Sequence, residues 1–406
     1  MRESYRITPV YTGDVSGVCS ALYELGGMVV IDDPSGCNST YNTHDEVRWY
    51  DRESLIFISG LNERDAVLGN DEKLIRDTVE AAESLHPAFI AFCNSPVPFL
   101  TGRDYKSIAR ITEKRTGIPS FYVPTNGMHD YVYGAQNAYL SFAEKMLPAH
   151  PCALKVPGTR INLLGLTPLD FADGNTVPDL KRLLSQNGFT VNASFSMNTS
   201  LEEVKTWRNA AANLVLSSTA LPLAEYFEKS CGMPFTAGCP VPGLEQEVFA
   251  SLLKAAGTGV SSYPCMDARK KYGREKPESA GDKVCLIGEP VFMCSLAAAM
   301  EKERETSGKE KKHEMYEAGC ISVYLPLEGG GKLLLPALGD RRVYGEEEIE
   351  EAFSGASVIY GDPYYRVLAP EKAVFRPVPH LAFSGRIYLK DIRNPFRRKE
   401  EENGIE

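Results

Sequence analysis

Three cysteines early in the chain stand beside turn-forming residues or at the end of an apolar run. Cys19 lies in a glycine-containing segment, Cys37 follows the turn at 33–36, and Cys93 ends the apolar run 88–92. Thiolates are the usual protein ligands of iron–sulfur clusters, and nearby glycines let the backbone approach a cluster closely. Three such sites in one domain suit a cluster bound by Cys19, Cys37 and Cys93, although the spacing alone does not single it out. The alternative is that all three are small buried side chains, because free cysteine packs like a modest hydrophobe.

The other members of the set of ten cysteines lack the spacing of a metal site. No Cys-x-x-Cys pair is present, and zinc would need paired cysteines or histidines at a useful spacing. Cys285 and Cys320 fall in predicted strands and Cys294 in a predicted helix. We expect structural roles for these residues.

His380 and Arg386 are the candidates for chemistry on a bound molecule. Imidazole titrates near neutrality, so His380 could deliver the protons that a reduction consumes, although a structural histidine is the alternative. The planar guanidinium of Arg386 could bind a carboxylate of a substrate or cofactor. A surface ion pair is the commoner fate of such an arginine.

Short apolar runs alternate with helical patterns along the chain, and most of these runs are apolar on both faces. This alternation predicts an α/β fold of three doubly wound, Rossmann-like domains with mostly parallel sheets. Two strand-poor segments, 148–157 and 266–282, are predicted linkers. The predicted domains are residues 1–150, carrying the three cysteines, residues 158–265, and residues 283–406 with a C-terminal tail.

Four of the residues that could do chemistry share a position relative to the predicted strands. Cys37, Cys93, Ser217 and His380 all fall at or just beyond the carboxyl ends of predicted strands. Ligands of open α/β sheets collect at this edge. The predicted strands are 28–31, 55–59, 88–93, 120–123, 160–166, 189–193, 213–217, 283–288, 321–325, 357–360 and 373–376. The predicted helices are 71–85, 105–116, 177–186, 243–256 and 291–302.

Composition excludes several classes of function. The chain has 406 residues and a formal net charge of −10, which argues against a nucleic-acid surface because phosphate binding needs clustered lysines and arginines. No apolar stretch approaches the roughly 20 residues that cross a bilayer. The N-terminal residues lack the apolar core of a secretory signal. We therefore expect a cytoplasmic protein that binds neither nucleic acid nor membrane.

Taken together, these motifs resemble the catalytic-component subunits of nitrogenase and nitrogenase-like enzymes. In that family a glycine-flanked cysteine comes first, a Gly-Cys after a proline-containing turn second, and a cysteine followed by prolines and a Leu-x-Gly-Asp-like stretch third. Cys19, Cys37 and Cys93 stand in this order. The likeness continues at 160–165, 213–217, 231–235, 283–288 and 380–385, so it covers nearly the whole chain.

The resemblance implies a nitrogenase component 1-like fold and a specific electron path. Cys19, Cys37 and Cys93 would bind a 4Fe–4S or 8Fe–7S-like cluster at an interface between subunits, in a homodimer or in a heteromer with a related subunit. Electrons would come from a separate ATP-dependent iron–sulfur reductase. This chain has no GxxxxGK[ST] phosphate loop of its own, as expected if the separate reductase is the protein that hydrolyses ATP.

One departure from the family bears on the substrate. True nitrogenase α subunits hold their iron–molybdenum cofactor with a cysteine at the place where this chain has Ser217. A hydroxyl is a poor substitute for a thiolate toward iron, which argues against dinitrogen reduction. The family members without that cysteine imply an oxidoreductase that reduces a small molecule or a tetrapyrrole bound between the domains. The alternative is a non-catalytic scaffold for the assembly or delivery of a metal cluster or cofactor.

Overall fold

The computed structural model describes residues 5–34, 46–53, 55–147, 158–273, 283–306, 320–329 and 339–397. Three sheets follow one another along these residues, and every strand pairing described within them is parallel. The predicted α/β fold with three mostly parallel sheets is therefore confirmed. No helix within the described ranges has the length and apolar character needed to cross a membrane.

The first sheet has the strand order β2-β1-β3-β4. Its part of the chain contains, in order, α1 (Asp14–Leu22), β1 (Met28–Asp32), β2 (Leu55–Ile58), α2 (Glu63–Leu68), α3 (Asp71–Leu85), β3 (Ile90–Asn94), α4 (Pro96–Leu100), α5 (Tyr105–Thr116), β4 (Ser120–Tyr122) and α6 (Tyr131–Met146). Side chains on β1 alternate between two cores: Met28 and Val30 pack with residues of α3 and α5, whereas Val29 and Ile31 pack with residues of α1 and α6. Helices thus cover both faces of this sheet, as in a doubly wound fold.

The second sheet has the strand order β6-β5-β7-β8. Its elements are β5 (Arg160–Leu164), α7 (Thr176–Gln186), β6 (Thr190–Ser194), α8 (Leu201–Lys205), β7 (Ala212–Val215), α9 (Leu221–Cys231), β8 (Phe235–Ala237), α10 (Glu245–Thr258) and α11 (Pro264–Tyr272). Its core is continuous with the α1–α6 face of the first sheet, since one cluster of buried residues runs from Val15 through Leu163 and Leu252.

The third sheet has the strand order β11-β10-β9-β12-β13. Its elements are β9 (Lys283–Ile287), α12 (Pro290–Thr306), β10 (Cys320–Leu325), β11 (Arg341–Arg342), α13 (Gly345–Phe353), β12 (Ala356–Gly361), β13 (Val374–Pro377) and α14 (Leu381–Ser384). The helix α12 is buried on two sides. Cys294 and Ala298 join the core shared by the first two sheets, whereas Met293 and Ala297 join the core of the third.

Residues 264–272 correct the prediction of a linker over 266–282. They form the helix α11, and its Arg269 is fully buried. The guanidinium pairs with Glu301 of α12 at 3.2 Å and with Asp340 at 2.5 Å. The sequence of a charged segment is typical of a solvated linker, but here the guanidinium of Arg269 is buried against two carboxylates. Residues 274–282 of this predicted linker lie outside the described residues. The whole of the other predicted linker, 148–157, does so too.

Two glycines bring α1 and α6 into backbone contact. A Cβ atom on Gly134 would lie 1.8 Å from the Asp14 carbonyl oxygen, and one on Gly17 would lie 2.1 Å from the Tyr131 carbonyl oxygen. No other residue type fits such an approach. Cys19 therefore sits on a helix whose position is set by main-chain packing.

Candidate active site

A cavity of about 950 Å³ opens between the second and third sheets. Its lining comes from segments that follow the carboxyl ends of β5, β9, β12 and β13, with Tyr11 contributed from the segment ahead of α1. Ligands of open α/β sheets collect at this edge. The volume lies at the upper end of the roughly 300–1,000 Å³ that small-molecule sites occupy.

His380 lines this cavity and is held on two sides. Its Nε2 atom lies 3.0 Å from Asp170 Oδ1, and its backbone N–H donates to Asp362 Oδ2 at 2.8 Å. Because an ionised carboxylate only accepts hydrogen bonds, the hydrogen-bond network assigns a proton to Nε2. The Nδ1 atom is buried and has no hydrogen-bond partner among the described residues. Nδ1 is therefore the ring nitrogen that remains for a bound molecule.

Asp170 is the centre of a buried hydrogen-bond network. Its side chain is 2% exposed, and besides His380 it accepts from Tyr131 Oη at 2.5 Å and from Ser217 Oγ at 2.7 Å. Tyr131 begins α6 and Ser217 follows β7, so the network joins the first two sheets to the segment after β13. These bonds fix the orientation of the Asp170 carboxylate, and through it that of the imidazole.

A second carboxyl group, that of Glu289, lies on the same wall of the cavity, just ahead of α12. Its oxygens accept from the backbone N–H groups of Ser218 and Phe292, each at 2.7 Å, and Oε1 is 3.5 Å from Ser217 Oγ. Burial and then the nearby Asp170 carboxylate raise the pKa of Glu289 to about 7. Two carboxyl groups that share one serine in a dry site cannot both ionise easily. Glu289 therefore carries a proton for part of the time at neutral pH.

The charged residues at the open side of the cavity carry both signs. Arg366, Arg376, Lys390 and Arg393 line the cavity and are exposed, as is Asp391, and Asp173 is half-buried in the same lining. Arg386, which the sequence predicts as an anion-binding residue, is also exposed but is not part of the cavity lining.

The structure brings together two of the three predicted cluster cysteines. Cys19 on α1 and Cys93 on β3 are fully buried in the same core cluster. Cys37 lies outside the described residues. Within the described ranges, no group of three or more histidine, cysteine or carboxylate side chains is arranged to hold a metal ion. Ligation by the three cysteines stays a prediction.

The surroundings of the two thiols bear on whether they suit a cluster. Burial raises the pKa of both thiols, and for Cys93 the Cys19 thiol and the Asp14 carboxylate raise it further. A thiol in such surroundings becomes a thiolate only where a metal cation compensates its charge. Adjacent buried thiols near carboxylates thus fit the donor chemistry of an iron–sulfur cluster. Their burial fits the alternative of core packing equally well.

The sequence model of one protein family, described as nitrogenase component 1 type oxidoreductase, matches residues 16–304. This chain belongs to that family. Its sequence is 26% identical over 199 residues to the nitrogenase iron-molybdenum cofactor biosynthesis protein NifE of Klebsiella pneumoniae, an alignment that covers 45% of this chain and 42% of the relative. It is 28% identical over 157 residues to one of the subunits of the light-independent protochlorophyllide reductase of Leptolyngbya boryana, covering 35% and 31%. The alignments span less than half the length of these relatives.

The component 1 fold is also seen in solved structures. A structure described as "Nitrogenase Cp1 at pH 6.5" superposes with a TM-score of 0.63 over 96% of this chain and 90% of that chain, at 18% identity. At this identity the likeness concerns the fold alone. The predicted family and fold are both confirmed.

Sequence reasoning missed three members of the cavity network in this component 1 type protein. Glu289 had a usable signal, because an acidic residue directly after the predicted strand 283–288 falls at the ligand-binding edge of a sheet. Asp170 lies six positions beyond β5, and Tyr131 comes from a helix of the first domain. No local pattern connects those two with His380. Their proximity is a product of how the domains pack.

Proposed function

We propose that this chain is the catalytic component of a nitrogenase-like oxidoreductase that works in the cytoplasm. It accepts low-potential electrons from an ATP-dependent iron–sulfur reductase through a cluster on Cys19, Cys37 and Cys93 at an interface with a second subunit, identical or related. It reduces a small molecule or a tetrapyrrole that binds in the cavity lined by His380. When bound, the cluster supplies single electrons.

The residues of the chain supply the protons that must accompany those electrons. Asp170 binds the Nε2–H of His380, so Nδ1 is the atom that takes up a second proton, forming the imidazolium, and then hands that proton to the substrate. Asp170 is a positioning residue, since it acts through the imidazole. Glu289 lies on the cavity wall and holds a second proton near neutral pH.

The observation that carries this proposal is the contact between His380 and the buried carboxylate of Asp170 on the wall of a large interdomain cavity, in a chain of an oxidoreductase family. A histidine with one nitrogen fixed by a carboxylate and the other without a partner is arranged for directed proton transfer. A second carboxylate, that of Asp362, accepts the backbone N–H of His380 and so fixes the main chain that carries the imidazole.

The cluster is tested by its iron content. The protein purified without oxygen should be brown and contain at least about four irons per dimer, as thiolate-bound clusters require. Combined Cys19→Ser, Cys37→Ser and Cys93→Ser substitution should remove the iron and the visible absorption. Cys320→Ser is the matched control, because that thiol begins β10 and should leave both unchanged. Iron retained by the triple variant would contradict the ligand assignment and favour core packing.

The proton donor is tested separately. With a competent reductase and ATP, His380→Gln should lower turnover by roughly 10²- to 10⁴-fold, the range typical for loss of a general acid. The iron content should remain that of the unsubstituted protein. Equal turnover by the variant and the unsubstituted protein would remove His380 from the mechanism.

A second candidate function has a specific observation in its favour. One of the relatives is named a cofactor biosynthesis protein, which suggests a scaffold that carries a metal cluster or cofactor for delivery. Turnover separates the two. If no candidate substrate is reduced in the presence of reductase and ATP, yet a cluster passes to a recipient protein, the scaffold function holds.

A further inference from the structure

Two cysteines outside the predicted cluster set bring their thiols together in the core. Cys265 lies in the first turn of α11 and Cys294 in the second turn of α12. The two residues are 0% and 3% exposed, and they belong to the same cluster of buried residues. Their thiols share a hydrogen bond, so the two sulfur atoms are in contact. This contact joins α11, which follows the second sheet, to α12, which also packs in the core of the third.

A buried ion pair holds the same two helices together farther along. Arg269 follows Cys265 by about one helical turn, and Glu301 follows Cys294 by about two. The Arg269 guanidinium lies 3.2 Å from Glu301 Oε1. The helices are therefore fixed side by side at two heights, and the two thiols meet between backbones that are held in place.

The segment after β8 contacts both helices beside the thiols. The Cys265 Sγ atom lies 3.8 Å from the Ala237 carbonyl oxygen, and the Cys239 backbone N–H donates to Ser295 Oγ at 2.9 Å. Ser295 is the neighbour of Cys294 in α12. These contacts place Cys265 and Cys294 against the same short segment, independently of the contact between their sulfur atoms.

Other buried cysteines have different partners. The Cys239 thiol donates to the Leu216 carbonyl oxygen at 3.0 Å, and the Cys285 thiol donates to that of Ala352 at 3.6 Å. A thiol in such a position is a packed core residue. A disulfide needs a second thiol within reach, and the contact between α11 and α12 supplies one.

We propose that Cys265 and Cys294 form a disulfide when the protein meets a low-molecular-weight disulfide such as oxidised glutathione. One protein thiolate attacks a sulfur of the oxidant and releases one thiol, which leaves a mixed disulfide. The other protein thiolate attacks the protein sulfur of that intermediate and releases the second thiol. The two electrons and two protons of the protein thiols end on the two released thiols. The bond locks α11 to α12, goes beyond the proposed function and needs no cluster.

Burial controls the rate of this reaction. A hydrogen bond to the Cys294 thiol, and then burial, raises the pKa of Cys265, so few thiolates form while the helices are packed. The oxidant must therefore reach the pair during transient separations of α11 and α12. Weakening the ion pair between these helices should make such separations more frequent.

The test is oxidation of the full-length protein by oxidised glutathione in the absence of oxygen, followed by alkylation of free thiols and mass spectrometry of peptides. We expect one linked pair of peptides, carrying Cys265 and Cys294, which dithiothreitol separates. Cys265→Ala and Cys294→Ala should each prevent the link, and Cys285→Ala is the matched control that should leave it unchanged. Glu301→Gln weakens the ion pair between the helices and should speed formation of the link roughly tenfold.

Urea unfolding shows whether the folded protein already holds the two thiols in a suitable arrangement. The oxidised protein should unfold at a higher urea concentration than the reduced protein, because the bond restricts the unfolded chain without distorting the folded one. The inference is overturned if neither the original protein nor Glu301→Gln forms the link. A link to a different cysteine, or a lower urea midpoint after oxidation, would overturn it too.

Discussion

Replacing Glu289 by glutamine should change how the stability of the protein depends on pH. Glu289 has a pKa of about 7 in the folded protein, because of burial and then the Asp170 carboxylate, against an ordinary value of 4.5. Between these two values the folded chain holds a proton that the unfolded chain has lost. Raising the pH through this window therefore costs stability.

The size of the effect follows from the two pKa values. Each unit of difference corresponds to about 1.4 kcal/mol, so ionising Glu289 in place should cost on the order of 3 kcal/mol between about pH 4.5 and pH 7. Glu289→Gln has no proton to lose and should not show this cost. Titratable groups near Glu289 are Asp170, Tyr131 and Cys239. They remain in the variant, and because Asp170 and Glu289 share Ser217 the comparison reports the pair of carboxyl groups.

The assay is urea unfolding at several pH values from 5 to 8. The free energy of unfolding of the variant minus that of the original should rise with pH by up to about 3 kcal/mol and level off above pH 7. Glu371→Gln, which removes an exposed carboxylate, is the control and should give a flat difference. A flat or falling difference for Glu289→Gln would refute the assignment of a proton to this side chain.

Three other substitutions have expected outcomes. Arg269→Met removes the guanidinium that the buried carboxylates of Glu301 and Asp340 share, and should lower the free energy of unfolding by about 3–5 kcal/mol, measured by urea titration. Gly134→Ala forces a Cβ atom against the Asp14 carbonyl oxygen and should cost about 1–3 kcal/mol in the same assay, whereas an unchanged midpoint would contradict the close helix contact. Glu346→Gln weakens the acceptor of the backbone N–H groups of residues 6–8 and should speed their exchange, measured by hydrogen–deuterium mass spectrometry.

Local signals predicted the elements best where the helix ends are capped. The predicted helices 71–85 and 105–116 have the bounds observed for α3 and α5. Asn70 and Asp104 accept backbone hydrogen bonds at the first turns, and Gly117 ends α5 in the left-handed conformation. Most strands were predicted from their apolar runs, but β8 and β11, which have three and two residues, were not. The helices α1 and α6 escaped prediction because each contains a glycine that is kept for helix contact, which weakens the local helical pattern.

The candidate site could be predicted only in part, for a related reason. His380 was found because it follows the last strand, and the structure places it in the cavity. Arg386 was chosen for its chemistry alone and lies outside the lining. The ionisation of Glu289 depends on Asp170, which is more than 100 positions away in the chain. An interaction between residues so far apart in the chain cannot be predicted from the local sequence around either of them.

The helix α12 belongs to two cores at once, and this has a mechanical consequence. A rotation of the third sheet against the other two would have to disrupt the packing of α12 in one of these cores, and Glu289 stands immediately before its first turn. Such a rotation changes the spacing of Glu289 and Asp170, and with it the ease with which the first gives up its proton. The acidity of Glu289 is therefore tied to how the third sheet packs against the other two.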